Sequence, residues 1–283
     1  VTLFAIQFNF EIMVKCLITG GCSFTAWKDR LSWVDLLEEY LKFKNNNLKS
    51  IHTAHHGQGQ GQIQKKVMLA VSEAFDNGLS SEEILVVVMW SGTCRKSWYI
   101  DNQDMLKKLN TTDTKIKDLK NNKVKTGGWF DTHNSSAFIN ELRFTHSYYL
   151  IDEQLGGVGK VHDSLENIVM LQNFCKLHGV TLVHQFFMDN VFEDIEKHKE
   201  HQIINYLYKQ LDFDNLIKQG MLEYLESFLN IPKEKTRPLH FTDRIKGSMG
   251  VPLFDTDGYH PGPEGVNRWF ENIVSPFLKN KNI

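Results

Sequence analysis

The chain has 283 residues, 41% of them hydrophobic and 12% aromatic, which is ample for one sizeable core. Thirty-two basic residues stand against 34 acidic ones, a formal net charge of −2, so there is no general electrostatic attraction to nucleic acid or to an anionic membrane. No apolar run approaches the roughly 18–20 residues that span a bilayer.

Residues 1–13, VTLFAIQFNFEIM, are apolar but short. They lack a basic start and a small-residue cleavage site and contain Glu11, so they read poorly as a signal peptide. We read residues 1–12 as an N-terminal extension ahead of a single domain at 13–283. The four cysteines, Cys16, Cys22, Cys94 and Cys175, form no C-x-x-C pair and read as reduced thiols in a cytosolic setting.

Residues 14–19 form a short apolar run that ends in Gly20-Gly21, the pattern of a buried strand entering a tight turn. Residues 31–41 place Leu31, Val34, Leu37 and Leu41 on one helical stripe. A weakly alternating strand at 48–54 runs into Gly57-Gln58-Gly59-Gln60-Gly61-Gln62, and 63–75 is again helical. Residues 84–90, ILVVVMW, are continuously apolar and β-branched, as in a parallel strand covered on both faces.

Residues 95–150 break this rhythm with a lysine-rich run at 107–125 and aromatic pairs at Trp129-Phe130 and Tyr148-Tyr149. They read as an insertion or lid, with the lysines on a solvated face. A helix over 163–177 is capped by Gly179, and 180–187 forms a further strand. Several helices follow between 195 and 229. A polar loop, Asp255-Thr256-Asp257-Gly258-Tyr259-His260-Pro261, leads into a last helix at 263–274, with Pro263 in its first turn and its end set before Pro276.

Alternating strands and helices predict an α/β fold: a three-layer α/β/α sandwich on a mainly parallel, flavodoxin-like sheet of about five strands. In such sheets ligands sit at the carboxyl ends of the strands, so residues 20–25, 57–62 and 91–95 should meet at one edge.

Ser23 follows a strand and two glycines. Its hydroxyl can serve as a nucleophile near a helix N-terminus; equally, Ser23 or Thr25 can cap the helix. The segment is not G-x-S-x-G, because Thr25 stands in place of the second glycine. Asp257 lies three residues before His260 and can hold its Nδ1, leaving Nε2 for the serine. Asp255 is a rival carboxylate. A glycine N–H in the 57–62 segment suits an oxyanion donor, because a substrate can approach the backbone closely there. His55 and His56 point in different directions and have no carboxylate at metal spacing, so no metal is expected.

Together these segments resemble the SGNH (GDSL-like) hydrolases. Residues 20–25 resemble the first block, with Cys22 in place of aspartate; 57–60 resemble the second; Asp257 to Pro261 resemble the final D-x-x-H block. The third block departs: Trp90-Ser91-Gly92-Thr93-Cys94-Arg95 has no Asn and is similar to the W-S-G-x-x-R form of phage-type members. The resemblance implies an esterase with Ser23, His260 and Asp257 as its triad, and Ser23, Gly57, Gly59 and Ser91 as oxyanion donors. Trp90 and Arg95 become candidates for substrate contact; Arg95 serves equally well as a structural ion-pair partner. The implied substrate is a small-molecule or carbohydrate ester, including acetyl esters, with no metal or organic cofactor. Two other readings stay open: a non-catalytic carbohydrate-binding or virion-associated protein on this scaffold, and an acyltransferase. The expected location is cytoplasmic or virion-associated, and the oligomeric state is left undetermined.

Overall fold

The computed structural model describes residues 13–26, 31–55, 58–93, 96–100, 128–132, 157–187, 190–229 and 260–283. Five strands form a fully parallel sheet: β1 (Cys16–Gly20), β2 (Lys49–His52), β3 (Ile84–Trp90), β6 (Thr181–Phe186) and β7 (Leu216–Ile217), in the order β2-β1-β3-β6-β7. That is the flavodoxin-like winding. The chain moves outward from β1 in one direction, then crosses to β3 and builds the other half, which opens a crevice beyond the ends of β1 and β3.

Every residue of β1 and β3 is buried, because helices cover both faces of the sheet. Side chains alternate between two cores, as strand geometry requires. Leu17, Leu85, Val87, Met89 and Val183 point toward one layer. It holds α1 (Trp33–Lys44), α6 (Met221–Leu229) and α7 (Pro263–Trp269). Ile18, Val86, Val88, Trp90 and Phe186 point toward the other. It holds α2 (Gln60–Asp76), α3 (Val158–Leu177), α4 (Asn190–His198) and α5 (Gln202–Tyr208). The three-layer α/β/α sandwich expected from the sequence is therefore present.

Two elements were not foreseen. A two-stranded antiparallel hairpin, β4 (Lys96–Ile100) with β5 (Gly128–Thr132), stands apart from the main sheet. Strand β7, only two residues long, completes the sheet edge. The last helix also needs correction: it does not stop before Pro276. After α7 the backbone widens into a π-helical turn, Phe270–Val274, and continues as α8 (Ser275–Asn280). The Ser275 N–H reaches back five residues to the Phe270 carbonyl. This wider turn shifts the hydrogen-bond ladder just where Pro276 supplies no N–H, so the chain stays helical. Gly179, with φ of 70°, ends α3 in the left-handed conformation, as foreseen.

Cys16, Cys22 and Cys175 are buried free thiols, and burial pushes the Cys175 thiol up to about 12. Among the described residues no helix is long and apolar enough to cross a membrane. The extension at 1–12, the 107–125 lysine run and the Tyr148-Tyr149 pair lie outside the described residues.

Candidate active site

The register of β1 on β3 sets Gly20 level with Val88, so the chain leaves both strands side by side at the crevice. Beyond β1 it folds into one tight turn: the N–H groups of Thr25 and Ala26 both donate to the Cys22 carbonyl, at 2.9 and 3.0 Å. Only glycine fits at position 21. A Cβ there would lie 2.7 Å from Thr25 Cβ, nearer still to Thr25 Oγ1, and 3.1 Å from the Met89 carbonyl oxygen. Cys22, Phe24 and Thr25 point inward and are buried, while Ser23 is half-buried at the rim. The Trp33 indole N–H donates to Thr25 Oγ1 at 3.3 Å and pins the turn to α1. Neither Ser23 nor Thr25 caps α1, because Ser32 holds that position in a capping box with Asp35.

His260 arrives from the far end of the sequence, just before Gly262 and Pro263 open α7. Its Nε2 lies 3.0 Å from Ser23 Oγ, joining residues 237 positions apart. Phe24 packs against the imidazole, ring centroids 4.7 Å apart, and stacks on Phe187 at 4.4 Å. A small cleft opens beside the pair, lined by Phe24, Leu31, Ser32, Met221, Pro261 and Val266 together with Ser23 and His260.

Hydrogen bonds link this turn to the segment before α2, and the start of α2 in turn to residue 91. The His55 N–H donates to the Gly21 carbonyl at 3.3 Å, and Gly59 then caps α2. Gln60, fully buried at the start of α2, donates its amide to the Ser91 carbonyl at 2.6 Å. Ser91 is buried as well, and among the described residues its hydroxyl has no hydrogen-bond partner. Thr93, next along, donates to Asp194 on α4.

Trp90 is placed differently from the sequence reading. It is 0% exposed, lies in the core on the α2–α3 side, and its indole N–H donates to His184 Nδ1 at 3.2 Å. The indole has no surface to offer a substrate, because strand alternation turns it away from the Ser23 layer. Burial also drives the His184 imidazole down to about 4, with Asp212 opposing slightly, so this histidine is neutral. Asp257, Asp255, Gly57 and Arg95 lie outside the described residues, as do His56 and Cys94.

A second hydroxyl–imidazole–carboxylate row lies elsewhere. Thr19 Oγ1 is 2.9 Å from His52 Nδ1, and His52 Nε2 is 3.4 Å from Glu38. A hydrogen bond from Lys42 is the main cause holding the Glu38 carboxyl below its usual range. Thr19 is completely buried, so this row braces β1, β2 and α1 and offers nothing to a substrate. On α3, across the sheet from Ser23, ligand atoms of His162, Asp163 and Glu166 lie within 4.8 Å of one another.

Sequence reasoning missed Phe24, Met221, Val266 and Gln60. Phe24 adjoins the serine in sequence, so its position alone marks it. Met221 and Val266 carry no local signal, since only the packing of α6 and α7 brings them to the cleft.

No family model matches the chain, and no curated protein matches it. Among solved structures it is similar to that of TesA, at 14% identity over 94% of this chain and 98% of that one, with a TM-score of 0.46. It is also similar to one described as a "putative acylhydrolase" from Bacteroides fragilis, at 15% identity over 95% of this chain and 88% of that one, with a TM-score of 0.35.

Proposed function

We propose that the chain is a serine esterase that hydrolyses carboxylic esters through Ser23, His260 and Asp257. The observation that carries this reading is the 3.0 Å approach of His260 Nε2 to Ser23 Oγ beside an open cleft. A hydroxyl within hydrogen-bond reach of an imidazole is the arrangement that general-base activation needs.

His260 takes the Ser23 proton as Oγ attacks the ester carbonyl. The tetrahedral oxyanion is held by the N–H of Ser23, by Gly57 or Gly59, and by the Ser91 hydroxyl. As the C–O bond breaks, the protonated imidazole gives its proton to the leaving alcohol. Water then gives a proton to His260 and attacks the acyl-enzyme, releasing the acid and restoring the serine. Asp257 steadies the imidazole and its tautomer. Arg95 meets an anionic part of the substrate, and acetyl esters of carbohydrates are one candidate class. Residues 95–150 act as the lid of a single hydrolase domain spanning 13–283.

Hydrolysis of p-nitrophenyl acetate and labelling by a serine-directed phosphonate test the reading. We expect turnover, and an adduct on Ser23 that is lost in Ser23→Ala. Turnover unchanged in Ser23→Ala, with no adduct on the wild-type chain, overturns it.

A further inference from the structure

We infer that the helical layer on the far side of the sheet from Ser23 is a self-association surface, on which a second copy of the chain docks with its α2 and α3 antiparallel to those of the first. The inference does not depend on the esterase reading. Among the described residues, five of the eight exposed large apolar side chains lie on three neighbouring helices of that layer: Leu69 on α2, Met170 and Leu177 on α3, and Ile203 and Tyr206 on α5. Single exposed apolar residues are ordinary on a surface, whereas a group of them on adjacent helices marks a contact site. The turn after α5 is bonded to α3: Gln172 donates to the Gln210 carbonyl and accepts from the Asp212 N–H, both at 2.7 Å.

Helices α2 and α3 lie side by side and run the same way, because each leads back to the start of a strand in the parallel sheet. Phe75 of α2 meets His178, just past α3, with ring centroids 5.7 Å apart, so Leu69, six residues earlier, falls within a turn of the level of Met170. These two side chains, 52% and 47% exposed, sit at the middle of the face. The charges around them point to what covers it. On α3, Glu166 lies ahead of Met170 and Lys176 behind it; on α2 the signs are reversed, with Lys65 ahead of Leu69 and Glu73 behind. A two-fold axis in the plane of the face, crossing both helices near Leu69 and Met170, lays α2 on α2 and α3 on α3 of the second copy, antiparallel. Glu166 then stands opposite Lys176, Lys65 opposite Glu73, and the apolar pair meets its own equivalents. A parallel arrangement would set like charge against like charge. Two helices about 25 Å long and about 10 Å apart offer about 1,000 Å² over both copies, the lower end for a specific interface, so the association should be of micromolar strength.

Sedimentation velocity on the full chain, from about 1 to about 200 μM, tests this. We expect the mass to rise from 32.8 kDa toward twice that value across the range. Met170→Lys should weaken the dimer about tenfold or more by placing a charge at its centre, and Leu69→Lys on the neighbouring helix should do the same if the first variant folds poorly. Glu166→Lys and Lys176→Glu should each weaken it severalfold, because each opposes like charges. The two reversals combined in one chain should restore it, and mixing the two singly reversed chains should yield a heterodimer. A chain that stays monomeric throughout overturns the inference. A dimer indifferent to positions 69 and 170 overturns it as well, since it would use another face. A double reversal no tighter than the singles rules out the antiparallel docking.

Discussion

The Phe24 ring lies 4.7 Å from the imidazole of His260, tilted by 43°, and also stacks on Phe187 with centroids 4.4 Å apart and 28° between the planes. The residue next to the proposed nucleophile thus supports the histidine that faces it. Phe24→Leu keeps the burial but loses the flat face, so His260 should sample more orientations. We expect kcat to fall about tenfold with KM little changed, since a small misplacement of a catalytic group is costly. Steady-state kinetics on p-nitrophenyl butyrate check this.

Removing members of the proposed triad should have unequal effects. Ser23→Ala and His260→Gln should each lower kcat by about 10⁴-fold or more, and the double variant should lose little beyond either single one. Asp257→Asn should cost roughly 10³- to 10⁴-fold, because an amide favours the wrong tautomer. Additive losses in the double variant would show that Ser23 and His260 do not act as a unit.

Gly21→Ala tests the turn itself. The added methyl collides with Thr25 and with the Met89 carbonyl, and neither is the end of a flexible side chain. The turn must shift, and Ser23 with it. Turnover and phosphonate labelling should both slow by about 100-fold, the cost of moving a reacting atom by about an ångström. Chemical denaturation on the same protein separates this from global unfolding.

Gln60→Leu removes the amide that holds the Ser91 carbonyl at 2.6 Å and leaves a buried acceptor unpaired. Stability should drop by about 1–3 kcal/mol. Because the same bond joins the start of α2 to the end of β3, kcat should also fall, with KM steady. Urea unfolding and kinetics give the two readings separately.

His184 predicts an acid-sensitive fold. Its folded value is depressed from 6.5 to about 4 by burial, so the unfolded chain takes up the proton first as pH falls. The stabilisation is complete above about pH 6.5 and is lost progressively down to about pH 4; at full extent it is about 3 kcal/mol. Urea midpoints measured across that window should fall with pH, and His184→Gln should flatten that part of the curve.

Much of the architecture could be read from the residues, for identifiable reasons. The run at 84–90 is apolar at every position because helices cover both faces of β3, and its bounds emerged as expected. Strand β7 escaped notice because two residues carry no periodicity. The helix over 263–280 was cut short because Pro276 is a sound stop signal unless the ladder has already shifted, and a π-helical turn leaves no mark in the sequence. At the candidate site, Ser23 and His260, which the structure brings together, carry local signals: a glycine pair in one case, a D-x-x-H loop in the other. Trp90 was misjudged because its neighbours belong to the crevice, while the alternation of β3 sends its own side chain the opposite way. Met221 reaches the cleft through tertiary packing, which local pattern does not encode.

The 237-residue separation of Ser23 and His260 ties chemistry to folding order. His260 immediately precedes α7, so the imidazole meets the serine only when α7 is docked on its layer, and a contact this distant in sequence carries a large loop-closure cost. The same topology acts in reverse. Opening of this last helical unit alone would part His260 from Ser23 while the central strands kept their exchange protection, so in the proposed esterase heat should extinguish activity before it melts the sheet.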